Sequence, residues 1–132
     1  MKKVFVNGCF DILHIGHVRL FDYAKIFGDQ LIVAIDSDKR VKELKGDSRP
    51  INNQNDRKEM LLSNKNIDHV FIFDSAEELE DLIFDISPNV MIVGDEYKDK
   101  KVIGGEYAKK IKFFKKIHGY STSSTIQNTI TR

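Results

Sequence analysis

The chain has 132 residues, 41% of them hydrophobic, and its 21 Lys+Arg against 20 Asp+Glu leave a formal net charge of +1. This length supports one sizeable core and not two, so a single domain over 1–132 with no appended module is expected. Near-neutrality argues against a general nucleic-acid or membrane-surface binder, which carries a marked basic excess. One cysteine excludes an internal disulfide framework, and no apolar run reaches a signal peptide or a bilayer crossing, so a cytoplasmic protein is expected.

Val4-Phe5-Val6 reads as a short buried strand, and Val18, Leu20, Phe21, Ala24 and Phe27 recur at helical spacing after it. Between them stands Asn7-Gly8-Cys9-Phe10-Asp11-Ile12-Leu13-His14-Ile15-Gly16-His17. A helix beginning near Gly16 aims its unpaired N–H groups and positive dipole end at an anion over the strand's carboxyl end. Gly8 and Gly16 allow close backbone approach, and His14 and His17 are hydrogen-bond donors for phosphate oxygens. Asp11 either anchors the loop or faces a metal. Two histidines at this spacing also suit zinc, for which Cys9, His69 and His118 are the remaining soft ligands.

Gln30–Asp36 reads as a second, central strand, preceded by a Gly28 placed to cap the first helix. A short helix from Ser37-Asp38 to about Leu44, a polar loop from Gly46 to Asn52 and a helix from about Asn53 to Ser63 follow. Val70–Phe73 is a third strand; Ser75-x-x-Glu78 is a capping box opening a helix that Pro88 ends. Val90–Val93 is a fourth strand, Gly94 to Gly105 a loop, Glu106 to Lys110 a helical turn and Ile111–Phe114 a weaker fifth strand. Ser121 or Thr122 caps a last helix. Alternating helices and continuously apolar strands give an α/β, Rossmann-like single domain: a parallel five-stranded sheet with helices on both faces. Such sheets bind ligands beyond the strands' carboxyl ends, which brings the loops at Asn7–His17, Asp36–Asn52 and Gly94–Gly105 to one crevice.

Gly8-x-Phe10-Asp11-x-x-His14-x-Gly16-His17 resembles the signature of the cytidylyltransferase-like nucleotidyltransferases, which join a nucleoside monophosphate to a phosphorylated acceptor. The likeness continues through Lys45-Gly46-Asp47-Ser48-Arg49-Pro50, Arg57, Gly94-Asp95 and Gly119-Tyr120-Ser121-Thr122. It implies ATP or CTP and a phosphorylated sugar or polyol as partners, Mg²⁺ as cofactor and a homodimer. It places His14, His17 and Lys45 in catalysis. Gly8, Cys9, Phe10, Asp11, Gly16, Asp95, Tyr120, Ser121 and Thr122 fall at the nucleotide, and Lys42 and Arg57 at the acceptor or its phosphates. Metal contact falls to Asp11, unless that residue only braces its loop. An exposed surface role is the plain alternative for each of Lys42, Lys45 and Arg57.

The resemblance is mixed. Gly94-Asp95-Glu96 followed by an aromatic looks like the glycerol-3-phosphate cytidylyltransferases, whereas Leu44–Pro50 and Val102-x-Gly104-x-Glu106 resemble the adenylyltransferase domain of ADP-heptose synthesis. The heptose-1-phosphate-like reaction with ATP is favoured, with CTP-dependent glycerol-3-phosphate cytidylylation as the alternative. A nucleotide-binding module without turnover is the rival from a different class. A phosphate monoester acceptor is largely a dianion at neutral pH, so no general base is needed, and the protein's work is positioning and charge neutralisation.

Overall fold

In the computed structural model, which describes residues 1–115, the elements are β1 (Lys3–Gly8), α1 (Ile15–Lys25), β2 (Gln30–Asp36), α2 (Asp38–Lys45), α3 (Gln54–Leu62), β3 (His69–Phe73), α4 (Ala76–Ile86), β4 (Val90–Gly94) and β5 (Lys110–Phe114). Single 3₁₀ turns occupy Asp95–Tyr97 and Gly105–Tyr107. The five strands are parallel in the order β3-β2-β1-β4-β5. The chain leaves β1 toward β2 and β3, then returns to β4 on the other side, so the ends of β1 and β4 flank the reversal in strand order. That is where a doubly wound sheet opens a crevice. The proposed last helix at Ser121 or Thr122 lies outside the described residues.

Strand alternation divides the core into two layers. Val4, Val6, Leu31, Val33, Ile35, Val90 and Ile92 pack on one face with Phe21 and Ala24 of α1 and Leu61 of α3. Phe5, Ile32, Ala34 and Met91 pack on the other with Leu79 and Ile83 of α4. Both faces being covered, the central strands are apolar throughout, which is why they stand out as continuous runs.

Helix starts follow their cap residues. Ser37, Asn53 and Ser75 each accept from a backbone N–H inside the first turn of α2, α3 and α4. The capping box at Ser75 is displaced by one residue: the Glu78 carboxylate accepts from Asp74 N at 2.6 Å rather than from the cap itself. Gly28 does not cap α1, whose C-cap is Ile26. Its smallness serves packing instead, since a Cβ there would lie 2.7 Å from the Lys2 carbonyl oxygen and 2.8 Å from Val4 Cγ2.

Candidate active site

A cleft of about 590 Å³ opens over the carboxyl ends of the strands. Three segments wall it: Gly8, Cys9 and Phe10 with His14, Gly16 and His17 after β1; Asp36, Arg40, Leu44 and Lys45 after β2; and Gly94, Glu96, Tyr97, Lys101, Val102 and Ile103 after β4. The motif residues thus meet around one space.

The two histidines build the start of α1. His14 is the N-cap, and its Nδ1 accepts from Gly16 N at 3.0 Å, while His17 Nδ1 accepts in return from His14 N at 3.2 Å. The rings stack with centroids 3.8 Å apart and 24° between planes. A nitrogen that accepts carries no proton, so each ring holds its proton on Nε2 and is a donor there. This corrects the expected anion site at the helix start. His14 takes the Gly16 N–H with its side chain and the His17 and Val18 N–H groups with its carbonyl, at 3.0 and 3.3 Å. What this end presents to the cleft is the two imidazoles.

Phe10 holds that arrangement from below. Its φ of 51° lies in the left-handed region, which costs a non-glycine residue on the order of 1 kcal/mol or more. The buried ring meets His17 edge-on at 5.1 Å and packs against Phe21 at 5.4 Å. Gly8 gives that ring its room, because a Cβ there would sit 3.1 Å from it, so the ring would have to yield by a few tenths of an ångström. Cys9, half-buried beside it, has its thiol pushed up from the ordinary value by burial, with Lys45 and Arg57 pulling it partly back.

Asp11 is fully buried and committed. Its Oδ1 accepts from Ile51 N and Asn52 N, its Oδ2 from Arg49 Nε and Ile51 N, all at 2.8 to 2.9 Å, and its carbonyl accepts from Asn52 Nδ2. Burial would raise its pKa, but the Asn52 and Ile51 amides and Arg49 outweigh that and hold the carboxyl below the ordinary aspartate range. Of the two readings of Asp11, the geometry supports the brace: it ties the β1 loop to the segment after Gly46. As a Mg²⁺ ligand Asp11 does not fit, since four hydrogen bonds converge on its carboxylate. No group of three or more His, Cys, Asp or Glu is placed to hold a metal among the described residues.

Arg57 differs from both expectations, phosphate contact and surface exposure. It is fully buried: Nε donates to Asn52 O at 2.9 Å, Nη1 to Cys9 O and Asp36 O at 3.0 and 2.7 Å, and Nη2 to Asp38 Oδ1 at 2.8 Å. Its guanidinium is a pin through three loops. Both lysines are exposed, and of the two only Lys45 lines the cleft. Asp95 is likewise exposed and outside the cleft lining, where Glu96 and Tyr97 stand instead. Tyr120, Ser121 and Thr122 lie outside the described residues. Arg40 and Asp36, which no motif pointed to, do line the cleft.

The sequence profile of the Cytidylyltransferase-like family matches residues 5–128. The chain is 47% identical over 126 residues to the bifunctional protein HldE of Aliarcobacter butzleri, covering 96% of this chain and 26% of that protein. It is 46% identical over 123 residues to the bifunctional protein HldE of Campylobacter fetus, covering 93% and 27%. The chain therefore spans about a quarter of the length of these curated relatives. Among solved structures, the lipopolysaccharide core biosynthesis protein of Thermoplasma volcanium superposes with a TM-score of 0.68 at 23% identity, covering 89% of this chain and 97% of that one. The pantothenate synthetase of Thermus thermophilus superposes at 0.66 and 14% identity, over 94% and 60%. At such identities these two structures speak for the fold.

Proposed function

The chain belongs to the cytidylyltransferase-like family, and from that premise we propose that it transfers a nucleoside monophosphate from ATP or CTP to a phosphorylated sugar, releasing pyrophosphate. The preferred pair in this reading is ATP with a heptose-1-phosphate-like acceptor, for which the resemblance at Leu44–Pro50 and Val102–Glu106 speaks. The observation that carries the proposal is the reciprocal cap of His14 and His17, because it fixes both imidazoles, with their protons on Nε2, at a cleft that Lys45 also lines.

The acceptor's phosphate oxygen attacks the α-phosphorus, a new O–P bond forms, and the bond to the departing pyrophosphate breaks. The dianionic acceptor brings its own nucleophile. His14 and His17 donate to oxygens whose charge grows in the transition state, and Lys45 neutralises phosphate charge. Since Asp11 is committed to its loop, Mg²⁺ enters this reading as a companion of the triphosphate and not as a resident of the protein. Homodimeric assembly belongs to the same proposal and rests on the resemblance alone.

Pyrophosphate release tests it, measured for ATP and CTP against heptose 1-phosphate and glycerol 3-phosphate. Release with ATP and heptose 1-phosphate is the expected result. Release confined to CTP with glycerol 3-phosphate would move the chain to the cytidylylating branch. Nucleotide binding without release from any pair would leave a binding module and end the catalytic reading.

A further inference from the structure

Two cations stand at the β2 end of the cleft, and their surroundings differ. Lys45 has no carboxylate within ion-pair distance among the described residues. Arg40, five residues earlier on α2, is paired through Nε with Asp36 Oδ1 at 2.8 Å, and both side chains are mostly buried, at 18% and 14% exposure. The guanidinium also lies over the Phe73 ring at 5.6 Å from its centroid. An ion pair at one edge and an aromatic ring against one face fix the plane of the group. Among the described residues, no protein acceptor takes a hydrogen bond from Arg40 Nη1 or Nη2, and no donor reaches Asp36 Oδ2.

The pair therefore offers a nearly neutral surface carrying fixed donors beside a fixed acceptor. A phosphate is better served by Lys45. Adjacent sugar hydroxyls, each both donor and acceptor, match the mixed surface. Such a diol comes from either the acceptor sugar or the nucleotide's ribose, and the layout separates them. Tyr97, Val102 and Ile103, the aromatic and apolar lining suited to a nucleobase, follow β4, on the far side of β1 from Arg40. With His14 and His17 between the two ends, a triphosphate reaching the histidines from the β4 side leaves the β2 end to the acceptor.

We propose that Arg40, held in plane by Asp36 and Phe73, reads adjacent hydroxyls of the acceptor sugar and so determines acceptor specificity. This rests on the nucleotidyl-transfer reading above. The test is the steady-state KM of Arg40→Met for heptose 1-phosphate and for ATP, with 2′-deoxy-ATP and 3′-deoxy-ATP as a second nucleotide arm. Losing charged donors to hydroxyls raises the acceptor KM about tenfold or more, while the KM for ATP stays within about twofold and both deoxynucleotides behave as ATP does. Arg40→Lys, which keeps the charge and stem but lacks the fork, shifts the acceptor KM in the same direction and serves if the Met variant does not fold.

An unchanged acceptor KM in both variants would overturn the assignment while leaving the reaction intact. A raised KM for ATP, with deoxynucleotides insensitive to the substitution, would assign the diol to ribose and overturn it as well. Failure of the wild type to release pyrophosphate with any sugar phosphate would remove the function reading and this assignment together.

Discussion

An imidazole that caps a helix accepts with one nitrogen and carries its proton on the other, and at His14 substitution can separate the cap from the donor role proposed above. Asparagine is among the best N-caps, so His14→Asn restores an acceptor for the Gly16 amide without restoring the Nε2 donor. We expect His14→Ala to lose about 1 kcal/mol of stability and His14→Asn to recover most of it. Both should lose on the order of 10²-fold in kcat, as when other preorganised donors are removed. Chemical denaturation alongside turnover checks this. If His14→Asn regains activity together with stability, His14 is a cap and nothing more. The same residue explains why the motif was readable but its geometry was not: two histidines three apart beside a glycine point to phosphate, yet nothing in that spacing says the side chains would take the helix's own amides.

At the scale of elements, α2 and α3 owe their places to one arginine. Arg57 sits on α3 and reaches the carbonyl of Cys9 after β1, the carbonyl of Asp36 at the end of β2 and the carboxylate of Asp38 at the start of α2. Truncation leaves the carbonyls of Asn52, Cys9 and Asp36 and the half-buried carboxylate of Asp38 without their donor, so Arg57→Ala should cost about 3 kcal/mol or more. Arg57→Lys should cost less than Ala but still over about 1 kcal/mol, because an ammonium cannot satisfy these directions at once. Urea midpoints decide it, and a loss below about 0.5 kcal/mol for Ala would contradict the pin, since that is the range of an ordinary surface site. The strands and capped helices were legible because their signals are local: apolar runs for β1, β2 and β4, and Ser37, Asn53 and Ser75 at helix starts. Arg57 was not, because two of its partners lie 48 and 21 residues away. A helical arginine among polar neighbours looks the same in sequence whether it is exposed or buried.

Across the whole molecule, the two-layer core builds the sheet, and buried polar groups hold the edge where the loops meet. Asp11 is the acid-sensitive part of that edge. Its carboxyl is held below the ordinary aspartate range, so its contribution is fully present above that range and is lost as pH falls through and below it. Asp11→Asn should therefore flatten the decline of stability below about pH 4, relative to wild type. It should also lower activity in a way that added Mg²⁺ does not restore, because an amide cannot accept all four of the bonds that brace the loop. A Mg²⁺ titration that rescues the variant would return Asp11 to a metal role. How the loops after β1, β2 and β4 would be joined was visible only as their common position after parallel strands, since Arg49 and Asp11 are 38 residues apart and Glu96 replaces Asp95 at the cleft through the turn that follows β4.

Arg57 grips the main chain at three of its anchor points, and at Cys9 and Asp36 this separates the hold on the loop from the side chain. Cys9 and Asp36 offer their carbonyl oxygens to the guanidinium while their side chains line the cleft. Any residue has a carbonyl. A substitution at position 9 thus alters what the cleft meets without unfastening the loops that form it, and one at position 36 changes the partner of Arg40 while the grip on its carbonyl stays, so selection, natural or in the laboratory, can vary the cleft on a kept frame.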